Sequence, residues 1–180
     1  MEPENKKVFL GVFYGGLLAG IFLMNYAFAS HPDFVRELME QFMNLDKFQL
    51  ISRDEFFFYV LFMRVKQLGF LFLCYLFFPK YLLLILLNFY FSFCLGGLLS
   101  LEAYYQGFQG ILYGVCYFFP HYLCYGTIYY LALRQTGIYQ RKLFSNEKKA
   151  FFCAVFLGIL GCVLESYVNS VLMIVLYGSK

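Results

Sequence analysis

Glu165 is the only charged residue between Ala150 and Tyr177, the last long apolar stretch of the chain. Insertion scales place an acidic residue at the centre of a spanning helix at about +2.5 to +3.5 kcal/mol. Such a carboxylate needs a partner within a helix bundle, a water-filled cavity or a proton. At helical spacing Gly158, Cys162, Glu165 and Asn169 fall on one stripe, two small residues followed by two polar ones. A stripe of that kind packs against other helices. Three chemistries fit it: structural glue, a proton or ion relay, or contact with a partner protein. Arg64 is a cation at comparable depth. At 1.5 Å per residue it lies about 12 Å below the outer end of its run, and Glu165 about 18 Å below the outer end of its own. A guanidinium that snorkels along its helix covers the roughly 6 Å difference. The alternative leaves Arg64 at the outer headgroups and Glu165 protonated, bonded to Asn88 or to a backbone carbonyl.

Other chemistries can be tested against residue spacing. The chain has no HExxH pair for an intramembrane metalloprotease and no GxSxG elbow for a serine hydrolase. A Glu-Glu-xxx-Arg protease pattern is missing too, because Asp54-Glu55 lies too far from Arg64. His31 and His121 have no metal-ligand spacing to a Cys, Asp or Glu cluster. The six cysteines all lie in apolar segments without a CxxC pair, so they read as small buried hydrophobes. No enzyme, cofactor, metal or nucleic-acid partner is expected. Arg64, Asn88, His121, Glu165 and Asn169, with a break at Pro120, suit a packed bundle core. They also suit a transporter or channel subunit, the alternative reading.

These residues must be held by helices in a bilayer. The chain is 62% hydrophobic, 23% aromatic and only 14% charged, more apolar surface than a soluble domain of 180 residues can hide. The expected architecture is all-α: a single integral membrane domain, residues 1–180, with about five spans at 8–29, 56–78, 81–100, 111–133 and 150–177. In the first span, Gly11, Gly15, Gly16 and Gly20 form two small-xxx-small pairs for close helix approach. Residues 30–55 form a charged outer loop, in which Phe34, Leu38, Phe42 and Leu45 recur at helical spacing and predict an amphipathic helix. Glu102 to Gly110 reads as a short polar turn. Pro120 splits the fourth span, either as one kinked crossing or as a short piece that enters without crossing.

Charge placement orients the spans. With a cytoplasmic N-terminus the inner side holds Lys6, Lys7, Lys80, Arg134, Arg141, Lys142, Lys148 and Lys149, against Arg36, Lys47, Arg53 and Lys180 outside, eight to four. The basic loop 134–149 is then inside and the C-terminus extracytoplasmic. Lys6, Lys7 and the Ala27-Phe28-Ala29 triplet mimic a signal peptide. An apolar stretch of about 20 residues exceeds the usual 7–15 of such a signal, so a retained span is expected.

The second half of the chain carries a family resemblance. Asn88 to Gly97 is an apolar helix ending in paired glycines, followed by Gly107-Phe108-Gln109-Gly110, then Phe118-Phe119-Pro120-His121-Tyr122-Leu123, then Val163-Leu164-Glu165-Ser166-Tyr167-Val168-Asn169. In segment order this resembles the stage II sporulation protein M family, whose specific marks are the Pro-containing motif and the Glu-Ser/Ala-Tyr/Phe motif of the last span. His121-Tyr122 stands where the family usually has Gln-Asn, and Ser170 where a Pro often ends the last motif. The resemblance implies a non-enzymatic membrane scaffold that organises the cell-wall-degrading sporulation proteins D and P during engulfment.

Overall fold

The computed structural model describes residues 3–43, 53–135 and 147–177. Among them all regular structure is helical: α1 (Pro3–Ser30), α2 (Pro32–Met43), α3 (Arg53–Phe77), α4 (Lys80–Gln106), α5 (Phe108–Phe118), α6 (His121–Gln135) and α7 (Glu147–Val163). A π-helical turn, Leu164–Asn169, continues α7 into α8 (Ser170–Tyr177). Three stretches, Lys7–Ser30, Lys80–Gln106 and Lys148–Leu172, are helices long and apolar enough to cross a membrane. With α3, 25 residues long, Arg64, Lys66 and Gln67 interrupt the apolar run near its middle.

The closest pairing is between α1 and α4, and its register shows that the two helices run parallel. Phe9 meets Tyr81 edge-on at 5.8 Å between ring centroids. The Asn88 side-chain amide donates to the Phe9 carbonyl at 2.8 Å. Further along, Phe28 stacks on Tyr104 at 4.0 Å. Backbone approach between these points depends on missing side chains: a Cβ at Gly20 would collide with the Phe93 carbonyl, and one at Gly96 with the Leu17 carbonyl. Gly16 is equally enclosed, by Ser92 and Phe89. Gly11 and Gly15, expected to make this contact, have open space where a Cβ would sit. The contact face is therefore set by Gly16 and Gly20, about one residue step around α1 from the face the Gly11–Gly15 pair would give.

The expected polar turn at 102–110 shrinks to one residue. Helix α4 runs on through Glu102, Ala103, Tyr104, Tyr105 and Gln106, residues that a helix accommodates; here Tyr104 and Tyr105 pack on Phe28 of α1. Only Gly107 leaves it, at φ +61°, a conformation that favours glycine. Its amide still donates to the Ala103 carbonyl at 2.9 Å. The chain then returns along α4: Gly110 abuts the Glu102 backbone and Gly114 lies beside Leu98 and Leu99.

Pro120 breaks the next segment, through a cis Phe119–Pro120 peptide, into α5 and α6. Eleven and fifteen residues extend about 17 and 22 Å, each too short to cross a bilayer alone. Their contacts nonetheless descend α4 without reversal. Tyr122 meets Phe91 at 6.4 Å, the Tyr129 hydroxyl donates to the Leu84 carbonyl at 3.1 Å, and Leu133 packs with Leu84 and Phe9. The two pieces thus follow one direction along α4, antiparallel to it, and do not turn back on themselves.

In the first turns of α2, Val35 is buried against Phe28 and Leu101, whereas Phe34 is 59% exposed. At the first position of the expected stripe the packed residue is thus Val35 and not Phe34; the side chains of Leu38 and Phe42, and all of Leu45, lie outside what the structure describes.

Candidate functional site

Arg64, Tyr125 and Glu165 converge where α3, α6 and the π turn meet. Arg64 reaches from α3 with the two-pronged geometry that suits a carboxylate: Nε donates to Glu165 Oε2 at 3.0 Å and Nη2 to Oε1 at 2.6 Å. The Tyr125 hydroxyl of α6 donates to the same Oε2 at 2.9 Å, so Glu165 accepts three hydrogen bonds from two other elements. Arg64 Nη1 donates to Gln67 Oε1 at 2.8 Å, one turn along its own helix. The guanidinium carbon lies 4.9 Å from the centroid of the Tyr125 ring, within cation–π range. Side-chain exposures of 28% for Arg64 and 19% for Glu165 put the pair mostly inside the protein.

Local sequence explains how each group is held. Gly161 faces the Tyr125 ring so closely that a Cβ there would lie 2.7 Å from its edge; Gly158, one turn earlier, faces Ile128. These glycines let α7 approach α6 and bring the phenol under the carboxylate. Beyond Val163 the helix widens into π geometry, with Glu165 in its first turn. Hydroxyls support the widened turn: Ser166 donates to the Cys162 carbonyl at 2.7 Å and Ser170 to the Ser166 carbonyl at 2.5 Å. Serine back-bonding of this kind bends helices. A second tie to α3 follows two residues after Glu165, where the Tyr167 hydroxyl donates to Asp54 Oδ1 at 2.7 Å. Because Glu165 meets Arg64 and Tyr167 meets Asp54, α3 runs antiparallel to the last helix.

The structure brings together Arg64, Glu165 and, in the stripe above them, Gly158 and Cys162, whose Sγ is 3.7 Å from the Tyr125 hydroxyl. His121, at the start of α6, is 2% exposed and lies edge-on to Tyr125 at 5.9 Å between ring centroids. Asn169 is buried at the end of the π turn. Asn88 is elsewhere, on the α1–α4 contact, so it is not the partner of Glu165. Gly11 and Gly15 are distant from the cluster and face open space. Tyr125, Gln67 and Gly161 are members that the sequence did not single out. One signal was available for the last: Gly161 stands three residues from Gly158 and shares its face.

No family model matches the chain, and no curated protein or solved structure matches it.

Chemically, this arrangement neutralises charge at depth. Net charge across Arg64 and Glu165 is zero, and all three polar side chains use one another as hydrogen-bond partners. Tyr125→Phe keeps the ring under Arg64 and removes one donor to the carboxylate. It is expected to lower stability by about 1.5–3 kcal/mol, the range for a hydrogen bond to a charged group, read by thermal unfolding in detergent.

Proposed function

We propose that this chain is a multi-pass, non-enzymatic membrane scaffold of the stage II sporulation protein M type, organising cell-wall-degrading partners of the D and P types during engulfment. The observation that carries this reading is that the helix opened by the Pro120 motif bonds the Glu165 motif of the last span. Tyr125, four residues past His121, bonds Glu165 of the last motif, and Arg64 neutralises it. A closed polar cluster joining three segments favours a rigid platform over a chemical centre.

The register supports five crossings, and the eight-to-four distribution of basic residues supports a cytoplasmic N-terminus and an extracytoplasmic C-terminus. If the parallel helices α1 and α4 both cross, the chain must return between them, and α3 is the described helix long enough to do it. The α5–α6 traverse then returns antiparallel to α4, and α7 through α8 crosses last. Impermeant maleimide labelling of single cysteines in a cysteine-free background is expected to place 30–55 outside and 134–149 inside. Labelling of both loops from one side would sink the topology.

Affinity purification of the tagged chain from engulfing cells of an endospore former tests the function. D- and P-type proteins are expected to copurify with it. Their absence, together with solute or ion flux in proteoliposomes holding the chain alone, would favour the transport reading instead.

A further inference from the structure

Two residues beyond Arg64 on α3, Lys66 faces the other way, because positions i and i+2 lie on opposite sides of a helix. Among the described residues its one partner is the Phe62 ring, with Nζ 5.0 Å from the centroid. Lys66 is exposed, and it lies about 20 Å from one end of α3 and about 17 Å from the other. If α3 crosses the membrane, this ammonium sits near mid-bilayer on a face that the described residues leave open. That is the costliest depth for a charge, and its distance from both helix ends is more than a lysine can cover by snorkelling.

The surroundings have the form of a helix-packing seam. Tyr59, Phe62, Lys66, Gly69, Leu73 and Leu76 recur at alternating three- and four-residue steps, and every one is exposed. Gly69 has nothing within 4 Å of where a Cβ would sit, which leaves room for a second backbone. The apolar seam alone would be satisfied by lipid; the ammonium within it is not. A second copy of this chain does not complement it. Of the eleven acidic residues only Glu165 lies near the middle of an apolar helix, and Arg64 already holds it. Two seams face to face would bring Lys66 against Lys66.

We infer that the Tyr59–Leu76 face of α3 docks a transmembrane helix of a different protein, one that carries an Asp or Glu at mid-membrane opposite Lys66. This rests on α3 crossing the bilayer, and it assigns the chemistry by which a scaffold of the proposed kind would recognise a membrane-anchored partner.

The full chain, carrying a photocrosslinking amino acid at Leu73, is reconstituted with synthetic polyleucine transmembrane peptides bearing a central Asp, Leu or Lys. The Asp peptide is expected to crosslink roughly tenfold more than the other two, the scale of one polar contact between membrane helices. Lys66→Gln removes that preference and Lys66→Glu transfers it to the Lys peptide. The same crosslinker at Leu86, exposed on α4, shows no preference. Equal yields for the three peptides, a preference that survives Lys66→Gln, or chain-to-chain products as the main adduct at Leu73 would overturn the proposal. An unchanged thermal midpoint in Lys66→Gln is expected, and a drop would mean that Lys66 serves this chain's own fold. Separately, Lys66→Cys is expected to resist impermeant maleimide from both sides. Labelling there would defeat the crossing of α3 itself, a failure distinct from absent charge pairing.

Discussion

Glu165→Gln is expected to lower the stability of the folded chain by about 3–5 kcal/mol, the cost of removing one member of a buried ion pair. The loss arises less from the missing attraction than from what remains. Arg64 keeps its position on α3, its guanidinium enclosed by Tyr125 and Gln67, with no carboxylate to accept from Nε and Nη2. The Tyr125 hydroxyl also changes from a donor to a carboxylate into a donor to a neutral amide. Thermal or denaturant unfolding in detergent micelles measures the effect. A variant as stable as the parent chain would mean that the cluster contributes nothing to the bundle.

The second large effect is expected from Gly20→Leu. At that position the obstacle is the Phe93 carbonyl, with the Gly97 amide nitrogen 2.9 Å away, and backbone cannot rotate out of the way as a side-chain tip does. The cost should reach or exceed the upper end of the ordinary overpacking range of about 1–3 kcal/mol. Separating α1 from α4 would also strain the Asn88 bond to Phe9 and the Phe28–Tyr104 stack. Gly11→Leu, at a position with open space, is expected to stay within about 0.5 kcal/mol of the parent. Thermal unfolding of the two variants side by side tests the assignment, and equal losses would refute it.

What could be read from sequence here follows from which interactions have a period. Apolar runs are periodic and long, so the helices, the break at Pro120 and the amphipathic segment after His31 were all legible. The pairing of Arg64 with Glu165 was legible as well, because charges in apolar surroundings are rare and their depths can be counted. Tyr125 was not. Among seventeen tyrosines nothing in spacing distinguishes the one whose ring is set by Gly161 on another helix. Which glycines make a contact was likewise hidden, since Gly11, Gly15, Gly16 and Gly20 look equivalent until the rotation of α1 about its axis is known. The turn at 102–110 was over-read from its polar residues. A single Gly107 suffices to reverse the chain, while Tyr104 stays helical because its ring stacks on Phe28. The π turn had no signal either, because its serines are as compatible with an ordinary helix.

The central claim is that Arg64 and Glu165 act as one unit holding α3 to the last helix. A double-mutant cycle with Arg64→Gln and Glu165→Gln, read by unfolding free energy of the full chain, tests it most directly. The double variant, which leaves neither charge uncompensated, is predicted to recover part of the loss, so that it is clearly more stable than the sum of the single losses implies. Strictly additive losses would contradict it, since residues that do not interact show no coupling beyond about 0.3–0.5 kcal/mol.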